Sequence, residues 1–128
     1  EELCCFLKDL RLERVGAFPF SPEEGTPAAE MKFPDAEIAQ QRAQIIETIQ
    51  SRIMDDCNEK LIGSVQEVLV DGFDEEYEQF YGRTYADSPD IDGRVWIASQ
   101  EALVEGSFVM VTIDSSVDGD LCGYLMEE

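Results

Sequence analysis

From residue 61 onward, short apolar runs separated by turn-forming residues predict β-strands. The runs cover residues 65–70, 77–85, 94–97, 108–113 and 121–126. The sequences between them include typical turns, with a first hairpin turn expected at Asp71-Gly72 and a last one at Asp118-Gly119. Five short strands in so few residues predict a small closed antiparallel β-barrel of the oligonucleotide-binding (OB) type, because closure removes exposed strand edges.

Residues 35–60 carry a helical pattern instead. Pro34-Asp35 provides a stop and an N-cap, and Gly63 follows the C-terminal end. Apolar side chains recur at intervals of four or seven and form one stripe, made of Ile38, Ile45, Ile49, Ile53 and Cys57. We expect this stripe to pack against a neighbouring domain.

Residues 1–34 offer too few apolar elements for a core of their own. Spacing and turn residues predict a helix end at 3–12, a buried strand at 14–20 and a loop at 21–27. Such a set is typical of one βα unit from a larger α/β sheet. The predicted chain is α+β, dominated by β-structure, with a domain remnant at 1–34, a linker helix at 35–60 and the barrel at 61–128.

The acidic residues are concentrated in the predicted barrel. The chain has 29 Asp and Glu against 9 Lys and Arg, a formal net charge of −20. Residues 61–128 hold 16 of the acids and two cations, Arg83 and Arg94, for a net −14. Nucleic-acid binding needs Lys and Arg to neutralise phosphates, so this charge disfavours nucleic acid as a partner. It favours a basic protein, with solubility as the alternative reason for the acidity.

Cysteine and histidine usage argues against a metal centre built from this chain alone. The four cysteines, Cys4, Cys5, Cys57 and Cys122, have no C-x-x-C spacing, and no histidine occurs. Unpaired thiols favour a reducing compartment, and no apolar run reaches the ~18–20 residues of a membrane span. We therefore expect a cytoplasmic protein without a membrane segment, whose thiols are buried structural residues.

The loop after the second predicted strand gathers oxygen-bearing side chains. Asp87, Ser88, Asp90 and Asp92 lie within six residues. Asp90 and Asp92 have the alternate spacing of a Ca²⁺ loop, but no Glu follows at the required distance. Capping of the turn by its own Asp side chains is the favoured interpretation, with calcium as the alternative, and no metal ligand is assigned.

The same loop is part of a longer motif, Gly-Arg-Thr-Tyr-Ala-Asp-Ser-Pro-Asp-Ile-Asp-Gly, at residues 82–93. It resembles the terminal TRAM domain of RimO-type methylthiotransferases, whose pattern is matched by Gly82, Arg83, Thr84, Asp87, Pro89, Asp90, Ile91, Asp92 and Gly93. The family's barrel-end loop is matched by Ser21, Glu23, Glu24, Gly25 and Thr26, although Phe20 stands where Tyr commonly precedes that loop. The sister MiaB-type enzymes, which act on transfer RNA, share Gly-Arg-Thr but typically continue with a basic stretch.

The resemblance implies a parent transferase of the radical-SAM class with two 4Fe-4S clusters and S-adenosyl-L-methionine. Such an enzyme adds a methylthio group to the β-carbon of an aspartate in small-subunit ribosomal protein twelve, a basic protein. Residues 1–34 would then be the end of its radical-SAM barrel, and the rest of that domain would be a partner of this chain. The family's C-x-x-x-C-x-x-C triplet is absent from these residues, so no catalytic residue or cluster ligand is assigned.

Docking of the basic substrate is the function that the resemblance and the charge predict for the barrel. The candidate contact residues are acidic: Asp71, Asp74, Glu75, Glu76, Glu78, Asp87, Asp90 and Asp92. Arg83 and Arg94 are expected to hold local carboxylates, and Tyr81, Tyr85 and Trp96 to pack in the barrel. Two alternatives stay open: an RNA-binding TRAM module of a transfer RNA methylthiotransferase, whose aromatics stack on bases, and a free-standing acidic scaffold or nucleic-acid mimic.

Overall fold

The computed structural model describes residues 1–89 and 93–126, in two compact units that divide between Ile53 and Met54. Asp90, Ile91 and Asp92 of the motif lie outside the described residues, so the expectations placed on them stay predictions. The organisation into segments at 1–34, 35–60 and 61–128 likewise stays a prediction.

The first unit contains helix α1 (Glu2–Leu10) and a short 3-10 helix at Pro27–Glu30. Helix α1 ends because Arg11 takes a left-handed conformation and its N–H caps the carbonyl of Leu7 at 2.9 Å. The strand predicted at residues 14–20 is wrong, since this stretch is irregular and Phe18 is 94% exposed. A strand needs a neighbour to pair its N–H and C=O groups, and the described residues supply none for it.

Helix α2 (Ala36–Leu61) confirms the long helix predicted at 35–60. Its contacts in the first unit centre on Gln50, whose Nε2 donates to the carbonyl of Leu12 at 2.6 Å, and on the buried Ile53. Ile38 and Ile45 are exposed, so the predicted apolar stripe is covered only along part of its length. Periodicity locates an apolar face, but burial follows wherever a packing partner is present.

The second unit is a closed five-stranded β-barrel. Its strands are β1 (Val65–Asp74), β2 (Gln79–Arg83), β3 (Val95–Ala98), β4 (Phe108–Val117) and β5 (Asp120–Leu125). Their order around the barrel is β1-β2-β3-β5-β4, which confirms the predicted OB-like closed barrel. Val68, Val70, Val95, Ile97, Val111, Ile113 and Leu121 point inward and form the core.

The prediction that the barrel is wholly antiparallel is wrong, because β3 and β5 pair in parallel. Strand β1 is antiparallel to both β2 and β4, β2 to β3, and β4 to β5. From β1 through β2 to β3 the strand direction reverses twice, so β3 runs in the same direction as β1. From β1 through β4 to β5 it also reverses twice, so β5 runs in that direction too. The pair that closes the barrel must then run in the same direction.

Two glycine-containing turn sequences behave differently from each other. Asp118-Gly119 forms the predicted hairpin turn, with φ values of 50° and 87° that suit a two-residue type I′ turn. Asp71-Gly72 is not a turn, because β1 continues to Asp74 and the pairing with β2 merely shifts register between Val70 and Gly72. The glycine is used there for a close approach, since a Cβ on Gly72 would lie 3.0 Å from Oη of Tyr81.

Candidate functional site

The described part of the motif forms a hydrogen-bonded turn after β2. Oδ2 of Asp87 accepts hydrogen bonds from the backbone N–H of Thr84 at 3.1 Å and from its Oγ1 at 2.9 Å. The Thr84 hydroxyl oxygen in turn accepts from the N–H of Ala86 at 3.2 Å, and Thr84 is buried. Asp87 therefore has a structural role in closing the loop, which matches the capping interpretation and reduces its availability for a partner.

We expect Asp87→Ala to destabilise the barrel by about 1–2 kcal/mol, because two hydrogen bonds to the buried Thr84 are lost. Urea unfolding followed by fluorescence of Trp96, the single tryptophan, measures this change. Glu105→Ala, at an exposed position outside the motif, is the comparison, and an equal loss in both variants would contradict the assigned role of Asp87.

The motif's glycines allow the backbone to pack closely. A Cβ on Gly82 would lie 2.7 Å from Cγ1 of Val68 and closer still to the Leu69 carbonyl oxygen. A Cβ on Gly93 would lie 3.0 Å from Oδ1 of Asp120 and closer still to the Gly119 carbonyl. Both positions thus serve packing of the barrel wall.

Arg83 holds a local carboxylate, as expected from the sequence. Its Nε lies 3.3 Å from Oδ1 of Asp71 on the outer barrel face, and both side chains are partly exposed. Such a pair contributes at most about 1 kcal/mol of stability. The pair matters more for binding than for stability. Because Asp71 already balances the positive charge of Arg83, that charge is less available to an anionic partner.

The predicted docking acids fall into two groups at opposite ends of β2. Asp71 and Asp87 lie near its C-terminal end, where Asp71 helps to line a cavity of about 240 Å³ with Ser88 and Pro89. The other group lies in the β1–β2 turn at residues 74–78. Asp71 lies three strand residues before Asp74, about 10 Å along β1, whereas Asp87 lies beyond the far end of the five-residue β2, about 17 Å or more from the turn. Asp87 therefore does not form one patch with the acids of the turn.

Within the β1–β2 turn the acids have different roles. Oδ1 of Asp74 accepts from the N–H groups of Glu76 and Tyr77 at 2.9 and 3.0 Å and so holds the turn. In the described structure, the carboxylates of Glu75, Glu76 and Glu78 have no hydrogen-bond or ion-pair partner, and all three residues are exposed. These three glutamates are the predicted docking residues that are available to a partner.

A cluster of aromatic rings and one arginine lies on the outer face of β2 and β3. The guanidinium carbon of Arg94 lies 4.4 Å from the ring centroid of Tyr81, and the Trp96 ring lies 5.9 Å from that of Tyr81 and 5.3 Å from that of Tyr77. The side chain of Arg94 therefore stacks on a ring. Asp90 and Asp92, the acids nearest to it in sequence, lie outside the described residues, so the expectation that it holds a carboxylate stays a prediction. Tyr85 is 96% exposed, so it does not pack in the barrel as expected.

Asp120 anchors this cluster, a role that was not predicted from the sequence. Its Oδ1 accepts from the backbone N–H of Arg94 at 2.9 Å and its Oδ2 from Nε1 of Trp96 at 3.0 Å. In the sequence Asp120 reads only as the last residue of an Asp-Gly-Asp turn. Only the parallel pairing of β3 with β5 brings it next to the start of β3.

A cavity lies where β2 begins and where β3 and β5 end. It has a volume of about 890 Å³ and is lined by residues 78–80, 97–101 and 124–126. Glu78 is one of the predicted docking residues, whereas Glu101 and Tyr124 were not recognised from the sequence. We call this cavity the barrel-end groove.

The cysteines form no metal site among the described residues, where no three His, Cys, Asp or Glu side chains come together as ligands. Cys5 is exposed and Cys4, Cys57 and Cys122 are only half-buried, so the expectation of four buried thiols is wrong. Burial raises the pKa of the Cys122 thiol; the hydrogen bond with Ser115 lowers it, and the charges of Asp114 and Asp120 raise it. The raised pKa favours the neutral thiol of Cys122 over the thiolate, which is the nucleophilic form.

The predicted barrel-end loop at 21–26 lies in the first unit. Oγ1 and the N–H of Thr26 both donate to the carbonyl of Glu23, at 2.7 and 3.3 Å, and Gly25 has a φ of 82°. These contacts form a tight turn whose glycine is required by the positive φ. None of the described helices is long and apolar enough to cross a bilayer.

Comparisons with known proteins agree on one family. The TRAM domain profile matches residues 62–126. Proteins named ribosomal protein uS12 methylthiotransferase RimO are similar to the chain: the one from Clostridium acetobutylicum is 38% identical over 128 residues, and the one from Desulforudis audaxviator is 42% identical over 124 residues. These alignments cover 99% and 94% of the chain but only 28% and 27% of the relatives.

Proposed function

Because the chain belongs to the TRAM domain family through residues 62–126, we propose that it is the substrate-recognition part of a methylthiotransferase. In this proposal the acidic barrel docks ribosomal protein uS12, the protein that the similar methylthiotransferases are named for. The parent enzyme, a cytoplasmic radical-SAM transferase, modifies an aspartate of that protein.

The observation that carries the proposal is the state of the barrel's cations. From residue 61 onward, Arg83 and Arg94 are the sole Lys or Arg residues against 16 acids. Arg83 lies against Asp71 and Arg94 stacks on Tyr81. A polyanion would find little positive charge to neutralise it, whereas a basic protein meets the free carboxylates of the β1–β2 turn.

Exposed apolar side chains in the first unit support assigning residues 1–34 to the end of a radical-SAM barrel. Large hydrophobic residues there stand largely in solvent: Leu3, Phe6, Leu10, Phe18 and Met31. Apolar surface of this extent is typical of residues that another part of the protein covers. Residues 35–60 then act as the helix that links that barrel to the TRAM domain.

The residues described here do not fit an iron–sulfur cluster. Cys4, Cys5, Cys57 and Cys122 are free and assemble no group of three ligands within the described residues. We therefore assign the two 4Fe-4S clusters and S-adenosyl-L-methionine to other parts of the parent enzyme, and we derive no catalytic step from this chain.

Charge reversal on the β1–β2 turn tests the docking proposal. We expect Glu75→Lys with Glu76→Lys to raise the Kd for purified uS12 about three- to tenfold at low salt, because exposed charge pairs contribute about 0–1 kcal/mol each. The difference should shrink as salt screens the charges. Isothermal titration calorimetry on the 128-residue chain measures both effects.

The matched control is Glu30→Lys with Glu47→Lys, which changes the net charge equally at exposed sites outside the barrel. Equal weakening in both variants would indicate a general charge effect, and no binding of uS12 by the unaltered chain would contradict the proposal.

The aromatic cluster on β2 and β3 favours one alternative, an RNA-binding module of a transfer RNA methylthiotransferase. Tyr77 is 64% exposed and lies beside Trp96, so bases could stack on this face. Filter binding with transfer RNA at low salt distinguishes the two functions. Micromolar binding that weakens steeply with salt would favour the RNA function over docking of a basic protein.

A further inference from the structure

The barrel-end groove exists because the strands of the barrel differ in length. Strands β1 and β4 have ten residues each, whereas β3 has four and ends at Ala98, opposite Tyr124 of β5. The barrel wall is therefore lower on the β3 side, and the groove lies over the fully buried Ile97 at that end of the core.

One wall of the groove is held by local hydrogen bonds. After β3 the chain turns at Ser99, whose Oγ donates to the carbonyl of Glu101 at 2.8 Å and accepts from the N–H of Glu101 at 3.1 Å. This reciprocal pair fixes the position of Glu101 at the edge of the groove. The opposite edge carries Glu78, which the left-handed backbone at φ 54° places at the start of β2.

The lining combines apolar and acidic groups. Ile97 is fully buried, Phe80 is partly buried, and the exposed Tyr124 and Met126 extend the apolar surface to the rim. Among the described residues of the lining, the charged side chains are the carboxylates of Glu78 and Glu101. By contrast, the cavities of about 240 and 330 Å³ elsewhere on the barrel both include Arg83.

This chemistry suits a particular occupant. A Lys or Arg side chain can lay its aliphatic stem on apolar surface while its charged end reaches a carboxylate. A volume of about 890 Å³ is at the upper end of the range for ligand cavities, and so has room for several residues of an extended chain rather than one side chain. A phosphate group would meet two carboxylates and no compensating cation among the described residues that line the groove.

We infer that the barrel-end groove binds an extended segment of the basic protein partner, with Lys or Arg side chains paired to Glu78 and Glu101. The inference rests on the proposed docking function and assigns its contact to one place. Glu75 and Glu76 of the β1–β2 turn contribute attraction at longer range, and Glu78 at the end of that turn takes part in the close contact in the groove.

Two pairs of variants in the 128-residue chain test the groove, with purified uS12 as the probe. Glu78→Gln with Glu101→Gln removes both carboxylates at nearly constant shape, and we expect the Kd to rise five- to twentyfold at low salt. Glu67→Gln with Glu105→Gln changes the net charge equally at exposed positions outside the groove and should raise the Kd less than twofold.

A steric pair separates shape from charge. Ala98→Trp puts a bulky side chain into the groove, whereas Ala102→Trp adds the same side chain at an exposed position that does not line it. We expect the first to weaken uS12 binding at least tenfold and the second to leave it unchanged, with circular dichroism confirming that both chains fold.

The possible results separate the inference from the function beneath it. Binding by the unaltered chain, with losses confined to the two groove variants, supports the groove. Binding that all four variants weaken equally, or that none weakens, overturns the groove but leaves docking intact. Absence of binding by the unaltered chain contradicts the docking function itself.

Discussion

Replacing Asp120 by alanine is expected to destabilise the barrel by about 2–3 kcal/mol, because a charged acceptor of two hydrogen bonds is lost. The N–H of Arg94 and Nε1 of Trp96 both donate to this carboxylate, and both bonds are partly buried. Without it, the two donors must reach water across the junction of β3 and β5. This junction closes the barrel, so the loss affects the whole unit.

Urea unfolding and the emission of Trp96 together check the role of Asp120. The unfolding midpoint should fall, and the emission should shift because the indole N–H loses its partner. Asp120→Asn is the matched variant of equal shape, which keeps one carbonyl acceptor but presents an amide to the other donor. We expect it to lose about half as much stability, about 1–2 kcal/mol. Full stability in both variants would show that the two bonds contribute nothing.

Gly82→Ala is expected to cost about 2–4 kcal/mol, since overpacking of a barrel wall forces the backbone to move. The added Cβ would lie 2.7 Å from Cγ1 of Val68 and closer still to the Leu69 carbonyl oxygen. Val68 is fully buried and Leu69 pairs with Arg83 in the ladder between β1 and β2. Neither neighbour can withdraw without disturbing the core or the sheet.

Gly72→Ala provides the comparison on the adjacent strand. Its added Cβ would approach Oη of Tyr81 at 3.0 Å, the end of a side chain that can rotate away. We expect a loss below about 1 kcal/mol, typical of a small adjustment near the surface. Thermal unfolding followed by circular dichroism ranks the two variants, and a greater loss at Gly72 than at Gly82 would contradict the packing argument.

The difference between Gly72 and Gly82 shows which structural features the local sequence predicts and which it does not. Asp71-Gly72 resembles a hairpin turn, yet β1 continues through it with a shift in register. The motif position Gly82 was identified by resemblance, but its physical reason is the proximity of Leu69, a residue distant in sequence. Turn propensity is local, whereas the space available for a Cβ depends on the neighbouring strand.

The candidate site was predictable to the same limited extent. The sequence identified the acidic residues but not that Asp74 and Asp87 are used to hold turns, while Glu75, Glu76 and Glu78 are free. Asp120 and Glu101 gave no signal, because their roles arise from the β3–β5 pairing and from the opening of the barrel end.

By itself the sequence determined the five short strands, the long helix, the acidic balance of the barrel and the TRAM motif. Each of these depends on residues close together in the chain or on composition. Tertiary structure alone decided that β3 and β5 run in parallel, that residues 14–20 form no strand, and that Arg94 stacks on Tyr81. These outcomes depend on which distant segment becomes the neighbour, and periodicity within a segment carries no information about its neighbour.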